Sequence, residues 1–172
     1  MINFFDGDLL KSGCDVICHQ VNEYGVMGAG IAKQIKDKYP KAFEDYQKAI
    51  TDKKLPLFAL SKQPDGVIIA NIFTQRNGET DLELLRNAVV FLGMQIIDLF
   101  VTKLKFNEMT GAFFDRPFRV GIPYLYGCGI AKGDWNEVWK VWAGFFGEME
   151  NIDLEVWKYN PKNKIRKIIK NY

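Results

Sequence analysis

Short apolar runs alternate with longer amphipathic stretches along most of the chain. Apolar runs bounded by Gly, Pro, Asn or Asp are typical of buried strands, and apolar residues three or four positions apart indicate helices. The pattern predicts strands at 2–5, 16–21, 55–60, 67–73, 119–126 and 154–159, and helices at 31–38, 41–50, 81–100 and 135–149. Strands that alternate with helices in this way indicate the α/β class, with a largely parallel or mixed sheet.

Two of these helices carry start signals. Thr80 precedes the third predicted helix, and Glu83 stands three positions later, which is the spacing of a capping box. Asp134 and Glu137 repeat that spacing before the fourth helix. We therefore predict that Thr80 and Asp134 are the N-caps, each with its glutamate as the reciprocal partner.

The most informative segment is the turn after the second predicted strand. This strand ends at Asn22, and Gly25, Gly28 and Gly30 follow before a helix begins near Ile31. Glycines let the backbone approach a ligand closely, and the first N–H groups of a helix attract negative charge. The spacing fits neither G-x-G-x-x-G nor a Walker A loop. The segment, which we call the first glycine loop, predicts a phosphate site; the alternative is a turn that only packs a helix against a strand.

A second glycine loop, residues 127–129, follows the fifth predicted strand and again precedes a helix. Ligands on α/β sheets bind at the carboxyl ends of strands, so the two loops can face each other across one crevice. Each loop supplies backbone N–H groups that suit an anion, and a pair of loops suits a diphosphate. Asn71 and Gln75 end the fourth strand at the same edge, either as ligand contacts or as strand-end hydrogen-bonding groups.

Composition excludes several other classes of protein. Of the 172 residues, 48% are hydrophobic and 26% are charged, and the net charge of +2 gives no electrostatic argument for nucleic acid. Three cysteines and one histidine form neither a disulfide framework nor a zinc site. No apolar leader and no run long enough to span a bilayer is evident. We expect one cytoplasmic domain with reduced thiols and no metal or cofactor, whose basic stretch at 162–167 is a solvated edge strand or helix face.

Several segments together resemble the macro domain family. They are Gly7-Asp8-Leu9-Leu10, Val21-Asn22 with the first glycine loop, and Ile122-Pro123 with the second glycine loop through Asp134-Trp135. Their order and spacing match over nearly the whole chain. The chain is similar to a branch of stand-alone proteins that holds ADP-ribose-1″-phosphate phosphatases and hydrolases that remove ADP-ribose from protein or DNA. The resemblance implies one macro domain over 1–172, a three-layer α/β/α fold around a central mixed sheet, and ADP-ribose in a cleft at its crest.

The resemblance also implies roles for individual residues. Asp8 would accept a hydrogen bond from the adenine amino group, Asn22 would face the distal ribose, and Tyr159 would pack beside the adenine. The diphosphate would lie between the two glycine loops. With the strand-end pair included, the predicted ligand-binding residues are Asp8, Leu9, Asn22, Met27, Gly28, Ala29, Gly30, Ile31, Asn71, Gln75, Gly127, Cys128, Gly129, Ile130, Ala131 and Tyr159.

The catalytic groups of this branch are not matched. Its hydrolases use a lysine just after the fourth strand and an aspartate directly after the second glycine loop. The corresponding stretch here, 73–76, contains no lysine, and Ala131 takes the place of the aspartate. The remaining candidates are Asn22, to orient the distal ribose, and Asp134 or His19 as the base. Their alternative roles are structural: a helix cap for Asp134 and a core position for His19.

Two classes of function stay open at this point. The first is an enzyme that hydrolyses an ADP-ribose derivative, as a phosphatase of ADP-ribose-1″-phosphate or as an ADP-ribosyl hydrolase. The second is a module that binds ADP-ribose or a related nucleotide signal without turnover. The expected partner is ADP-ribose or an ADP-ribosylated substrate, and nucleic acid only as ADP-ribosylated DNA. We expect a monomer that binds no membrane.

Overall fold

A computed structural model describes residues 1–51, 55–110, 116–160 and 166–168. The strands are β1 Ile2–Gly7, β2 Val16–Asn22, β3 Phe58–Lys62, β4 Ile68–Arg76, β5 Glu79–Thr80, β6 Phe118–Pro123, β7 Ile152–Tyr159 and β8 Arg166–Ile168. The helices are α1 Gly30–Lys38, α2 Pro40–Thr51, α3 Leu82–Thr110 and α4 Trp135–Phe146, with a short 3-10 turn at Leu9–Lys11. Every predicted strand and helix has a counterpart, with its ends shifted.

All eight strands form one sheet in the order β3-β4-β2-β6-β7-β1-β8, and β5 pairs with β4. The five central strands, β4, β2, β6, β7 and β1, are mutually parallel. The edge strands β3 and β8 are antiparallel to their neighbours. Residues 166 and 167 of the basic stretch lie in the edge strand β8, as one of the two predicted alternatives has it. Residues 162–165 lie outside the described residues. The predicted mixed sheet is confirmed, and its parallel centre brings the carboxyl ends of β2, β4, β6 and β7 to one edge.

Helices cover both faces of this sheet, because the side chains of its strands alternate between them. On one face, Val16 and Cys18 join the largest core cluster, which includes Trp142 of α4. On the other face, Ile17 packs with Ile35 of α1. Burying a side chain of this size contributes about 1.5–3 kcal/mol. The result is the three-layer α/β/α arrangement that the resemblance implied.

The N-cap of α3 differs from the prediction. Asp81 Oδ1 accepts a hydrogen bond from the Leu84 N–H at 2.9 Å. Thr80 lies in β5, and its hydroxyl donates instead to the carbonyl of Gly127 at 2.6 Å. Thr80 and Asp81 are both residue types that cap helices. Asp81 is the N-cap here because the Thr80 hydroxyl is bonded to Gly127, in a distant part of the chain.

Helix α3 is also longer and more apolar than expected. It ends at Thr110 rather than near residue 100. By length and composition alone, Leu82–Lys105 could cross a membrane, so the expectation that no run is long enough is wrong. The core helix of a soluble protein can have the same length and apolar composition. The buried side of α3, packed on the sheet, consists of Leu85, Ala88, Val89, Leu92 and Ile96.

Candidate functional site

A cleft of about 620 Å³ opens at the carboxyl ends of the parallel strands. This volume is within the usual range of small-molecule sites, about 300–1,000 Å³. The cleft is lined by Leu9, Gln20, Val21, Asn22, Val26, Gly28, Ala29, Gly30, Ile31, Ala32, Gln34, Gln75, Pro123, Tyr124, Leu125, Tyr126, Gly127, Gly129, Ile130, Ala131, Trp157 and Tyr159. Both glycine loops therefore line one cleft, which is the arrangement that their positions after strands predict.

The first glycine loop presents an uncapped helix N-terminus to this cleft. Helix α1 begins at Gly30, whose φ of +56° is a left-handed conformation that favours glycine. Ala29 stands at the N-cap position and makes no side-chain capping hydrogen bond. The first N–H groups of a helix have no partner inside the helix. Those of α1 are therefore available to an anionic ligand in the cleft.

Helix α4 begins in a different way. Asp134 Oδ1 accepts hydrogen bonds from the N–H groups of Asn136 at 2.8 Å and Glu137 at 3.2 Å, so its predicted capping role is confirmed. The Glu137 carboxylate accepts from Lys140 at 2.7 Å instead of completing a capping box. Asp134 is exposed and is not among the residues that line the cleft. Its position does not support the predicted role of catalytic base.

The second glycine loop is fastened by hydrogen bonds to β5. The Gly127 carbonyl accepts from the Thr80 hydroxyl at 2.6 Å and from the Gly133 N–H at 3.0 Å, and the Thr80 N–H donates to the Ala131 carbonyl at 2.9 Å. Gln20 Nε2 in turn donates to Thr80 Oγ1 at 3.1 Å. Gly127 itself has a φ of +66°. The turn between Gly127 and Ala131 is thus held at both ends and faces α1 across the cleft.

Asn22 lines the cleft, and its side chain shapes the first glycine loop. Its Nδ2 donates to the Val26 carbonyl at 2.7 Å. Its Oδ1 accepts from the Tyr24 N–H at 2.9 Å and from the Tyr46 hydroxyl at 2.7 Å. These bonds engage both polar groups of the amide, so its contact with a distal ribose stays a prediction.

His19 and Asn71 lie in the core and do not line the cleft, which is the structural alternative that the sequence analysis gave for each. Both are fully buried, and His19 Nε2 is 2.7 Å from Asn71 Oδ1. Asn71 Nδ2 donates to the Ala42 carbonyl of α2 at 3.1 Å. Side-chain alternation points both residues toward the α1–α2 layer. Their burial and hydrogen bonds therefore favour structural roles over a catalytic role for His19 and a ligand contact for Asn71.

Three further predicted residues lie outside the cleft lining. Met27 is 2% exposed and packs in the core with Phe73. The Cys128 thiol donates to the Tyr126 carbonyl at 3.1 Å, and burial raises its pKa to about 11, so it is a poor nucleophile. Asp8 uses Oδ1 to cap the 3-10 turn through the Leu10 N–H at 2.9 Å.

Among the described residues, those that line the cleft include no carboxylate, amine, imidazole or thiol side chain. Its polar side chains are the amides Gln20, Asn22, Gln34 and Gln75 and several tyrosines. Val26, Leu125, Ile130 and Tyr159 in the lining are between 45% and 75% exposed, so much of their apolar surface is open to a ligand. The groups that could bind a charged ligand in this cleft are therefore backbone N–H groups and neutral side chains.

Sequence reasoning missed several lining residues, among them Gln20, Trp157 and the turn 124–126. Gln20 had a detectable signal, because it is a polar residue inside an otherwise apolar strand. Trp157 lies two residues before Tyr159 on β7 and so shares its side of the sheet. Its ring stacks on Phe5 at a centroid distance of 4.6 Å. The alternation of side chains along β7, counted back from Tyr159, was therefore the signal that could have predicted Trp157 in the lining.

The burial of His19 leads to a prediction about stability. Burial lowers its pKa from 6.5 to about 4. Between those values the unfolded chain binds the proton and the folded chain does not, so stability is complete above pH 6.5 and falls as the pH falls toward 4. The expected loss is about 3 kcal/mol, at 1.36 kcal/mol per pKa unit. Urea unfolding of the wild type at pH 7 and pH 4.5 measures it, and His19→Gln should remove most of this pH dependence. An equal pH dependence in both proteins would contradict the assignment.

The comparisons with known proteins agree with this fold. No protein-family model matches the chain. The chain is 27% identical over 173 residues to proteins named DNA ADP-ribosyl glycohydrolase from Mycobacterium tuberculosis and Mycobacterium bovis. The alignment covers 98% of this chain and 44% of each relative, so the chain spans less than half the length of these relatives.

Several solved macrodomain structures are similar to this fold over most of the chain. The macrodomain of Mycobacterium tuberculosis DarG is 26% identical with a TM-score of 0.74, over 91% of this chain and 97% of that one. The macrodomain of Thermus aquaticus DarG is 24% identical with a TM-score of 0.70, over 94% and 99%. Thermosipho africanus DarTG in complex with ADP-ribose is 18% identical with a TM-score of 0.68, over 91% and 41%. Agreement at this level with solved macrodomains, over nine-tenths of the chain, shows that this protein has the macrodomain fold.

Proposed function

We propose that the cleft binds ADP-ribose, with the diphosphate between the N-terminus of α1 and the second glycine loop. The observation that carries the proposal is the contrast between the two helices. Helix α4 satisfies its own N-terminus with Asp134, whereas α1 begins without a side-chain cap and lines the cleft. A diphosphate held by backbone N–H groups needs no lysine or arginine. A solved neighbour of similar fold holds ADP-ribose.

The adenine would lie at the end of the cleft formed by Leu9, Trp157 and Tyr159. Tyr159 is 57% exposed and offers apolar surface to a base, whereas Trp157 is only 2% exposed and supports the floor of this end of the cleft through its stack on Phe5. Stacking of a base on an aromatic side chain contributes about 1–3 kcal/mol. Asp8 adjoins this end of the cleft through Leu9. Its Oδ1 is used by the 3-10 turn, and its Oδ2 lies 3.6 Å from Nζ of the exposed Lys11, so Oδ2 would receive the adenine amino group beside this ion pair.

We further propose that the chain removes ADP-ribose from a larger substrate. The support is its similarity to proteins named DNA ADP-ribosyl glycohydrolase, which makes ADP-ribosylated DNA the first substrate to test. The neutral lining favours a second candidate, a binding module without turnover. Amide side chains can position a water but cannot take its proton efficiently, so any turnover is expected to be slow.

The test has two stages. Calorimetry with ADP-ribose should show one site with a micromolar Kd, about −8 kcal/mol. Incubation with ADP-ribosylated DNA, ADP-ribosylated protein and ADP-ribose-1″-phosphate then distinguishes the activities by the product released. Binding without release of any product would leave the binding module. No heat and no thermal shift at millimolar ADP-ribose would contradict both candidates.

The adenine contact gives a separate prediction. Asp8→Ala should weaken ADP-ribose binding by about 1–3 kcal/mol, because a carboxylate can accept from the adenine amine. Asp8→Asn is the matched control, since its amide oxygen retains the cap on the 3-10 turn. The wild type should also bind ADP-ribose more tightly than the inosine analogue, which has a carbonyl in place of the amine. Equal calorimetric affinity for both ligands would remove Asp8 from the site.

A further inference from the structure

The second glycine loop packs tightly against one side chain of β5, that of Thr80. The Thr80 hydroxyl donates to the Gly127 carbonyl at 2.6 Å, although Thr80 is not among the residues that line the cleft. A Cβ added to Gly127 would lie 2.8 Å from Thr80 Oγ1, and one added to Gly133 would lie 3.1 Å from it. The segment from Gly127 to Gly133 therefore closes on this side chain, and both of its ends approach the hydroxyl closely.

Gln20 fixes the direction in which the Thr80 hydroxyl points. Its Nε2 donates to Thr80 Oγ1 at 3.1 Å and to the carbonyl of Thr74, on β4, at 3.3 Å. A carbonyl oxygen can only accept, so the contact with Thr74 identifies the NH₂ end of the amide. Because Thr80 Oγ1 accepts from Gln20, its single proton is directed to Gly127. Gln20 stands two residues before Asn22 on β2, the strand that leads into the first glycine loop.

We propose that the Thr80 hydroxyl is a positioning group, which sets the distance between the second glycine loop and the N-terminus of α1 and so matches the cleft to a diphosphate. This inference rests on the proposed function, because it concerns the same ligand in the same cleft. One bridging oxygen joins the two phosphorus atoms of a diphosphate, so their separation is fixed. N–H groups on both sides can reach them at one width of the cleft only. A binding site has to hold such groups within about 0.5 Å of their productive positions.

Removal of the hydroxyl should exceed that tolerance. Thr80→Val keeps the shape of the side chain but places a methyl group where the oxygen lies 2.6 Å from the Gly127 carbonyl oxygen. A carbon atom approaches a carbonyl oxygen to about 3.3–3.6 Å, so the loop has to move away from β5 by about 0.7–1 Å. The Gly127 carbonyl still accepts from the Gly133 N–H at 3.0 Å, and the Thr80 N–H still donates to Ala131 at 2.9 Å. The loop is therefore displaced but stays folded.

Calorimetry with ADP-ribose tests the proposal. Thr80→Val should weaken binding at least ~10-fold, because a displacement of about 1 Å disrupts contacts that depend on exact placement. Thr80→Ser retains the hydroxyl and should bind within about 3-fold of the wild type. Thr102→Val makes the same substitution at an exposed position of α3 and should bind as the wild type does. Thermal melting should show one cooperative transition for each protein.

Adenosine distinguishes a positioning role from a general disturbance of the cleft. It has the base and one ribose of ADP-ribose but no diphosphate. Its weak affinity, measured by ligand-observed NMR titration, should therefore be the same for the wild type and for Thr80→Val. If adenosine lost affinity by the same factor as ADP-ribose, the substitution would disturb the whole cleft, and the proposal would be overturned.

Gly133→Ala displaces the loop without altering Thr80 and gives a second test. Its Cβ would lie 2.8 Å from the Gly127 carbonyl oxygen, so this carbonyl has to move, and the φ of Gly133 is outside the left-handed region. The variant should also bind ADP-ribose at least ~10-fold more weakly and adenosine unchanged. Wild-type affinity for ADP-ribose in either variant would overturn the proposal and leave the proposed function intact. A wild type that binds no ADP-ribose would overturn both.

Discussion

Gly129→Val is expected to reduce ADP-ribose affinity at least ~100-fold, about 3 kcal/mol, without changing the stability of the fold. Gly129 lines the cleft, its φ is outside the left-handed region, and a Cβ added there would have no protein atom within 4 Å. The valine would therefore fold without strain and would occupy space where the second loop meets phosphate. Calorimetry and thermal melting measure the two effects.

Gly28→Val should act in the same way on the opposite loop, since its Cβ would meet only Val26 Cγ1, at 3.6 Å. Gly144→Val is the matched control, because a Cβ there also has no neighbour within 4 Å but the residue lies in α4, outside the cleft. Gly30 and Gly127 are unsuitable for this test, because their positive φ values would add backbone strain. If Gly129→Val kept wild-type affinity, the glycine would serve loop packing only.

Arg119→Met should lower the free energy of unfolding by about 3–5 kcal/mol, the largest stability effect expected in this molecule. Its partner Glu155 is 3% exposed and accepts from Arg119 Nε at 2.6 Å and Nη2 at 3.0 Å. Glu155 also accepts from Trp157 Nε1 at 2.9 Å and from the Cys14 thiol at 3.2 Å. Removing the guanidinium leaves a buried carboxylate without its countercharge. Urea unfolding at pH 7 measures the loss.

The double variant Arg119→Met with Glu155→Gln is the control for this prediction. It removes both charges, so it should recover much of the stability lost in the single variant, since an unpaired buried charge costs more than the pair contributes. A single variant within 1 kcal/mol of the wild type would show that water or a rearranged side chain compensates the carboxylate.

The sequence predicts the fold and the location of the cleft because both depend on local patterns. Apolar runs and helical spacing define the elements, and Gly28 and Gly129 lie in the loops that follow the ends of β2 and β6. It predicts individual side chains less well. Alternation places His19 on one side of its strand, but it does not reveal that α2 covers this side. The packing of α2 over β2 and β4 decides that His19 and Asn71 are core residues.

The N-terminal end of α3 shows the same limit. Thr80 and Asp81 are both good N-cap residues, and the choice between them depends on a hydrogen bond to Gly127, which is 47 residues away in the chain. Contacts between distant segments leave no local signal in the sequence.

The uncharged lining of the cleft has a consequence for recognition at a distance. A protein that binds phosphate with lysine or arginine attracts polyanions through long-range electrostatics. Its affinity for them falls steeply as ionic strength rises. Backbone dipoles act only over short range, so this cleft exerts no such pull and should bind its ligand with little dependence on salt. Nucleotides that share the diphosphate are then distinguished after contact, by whether their base and ribose fit between the loops. Discrimination here rests on shape and on hydrogen bonds formed after contact, and charges in the lining do not raise the rate of encounter.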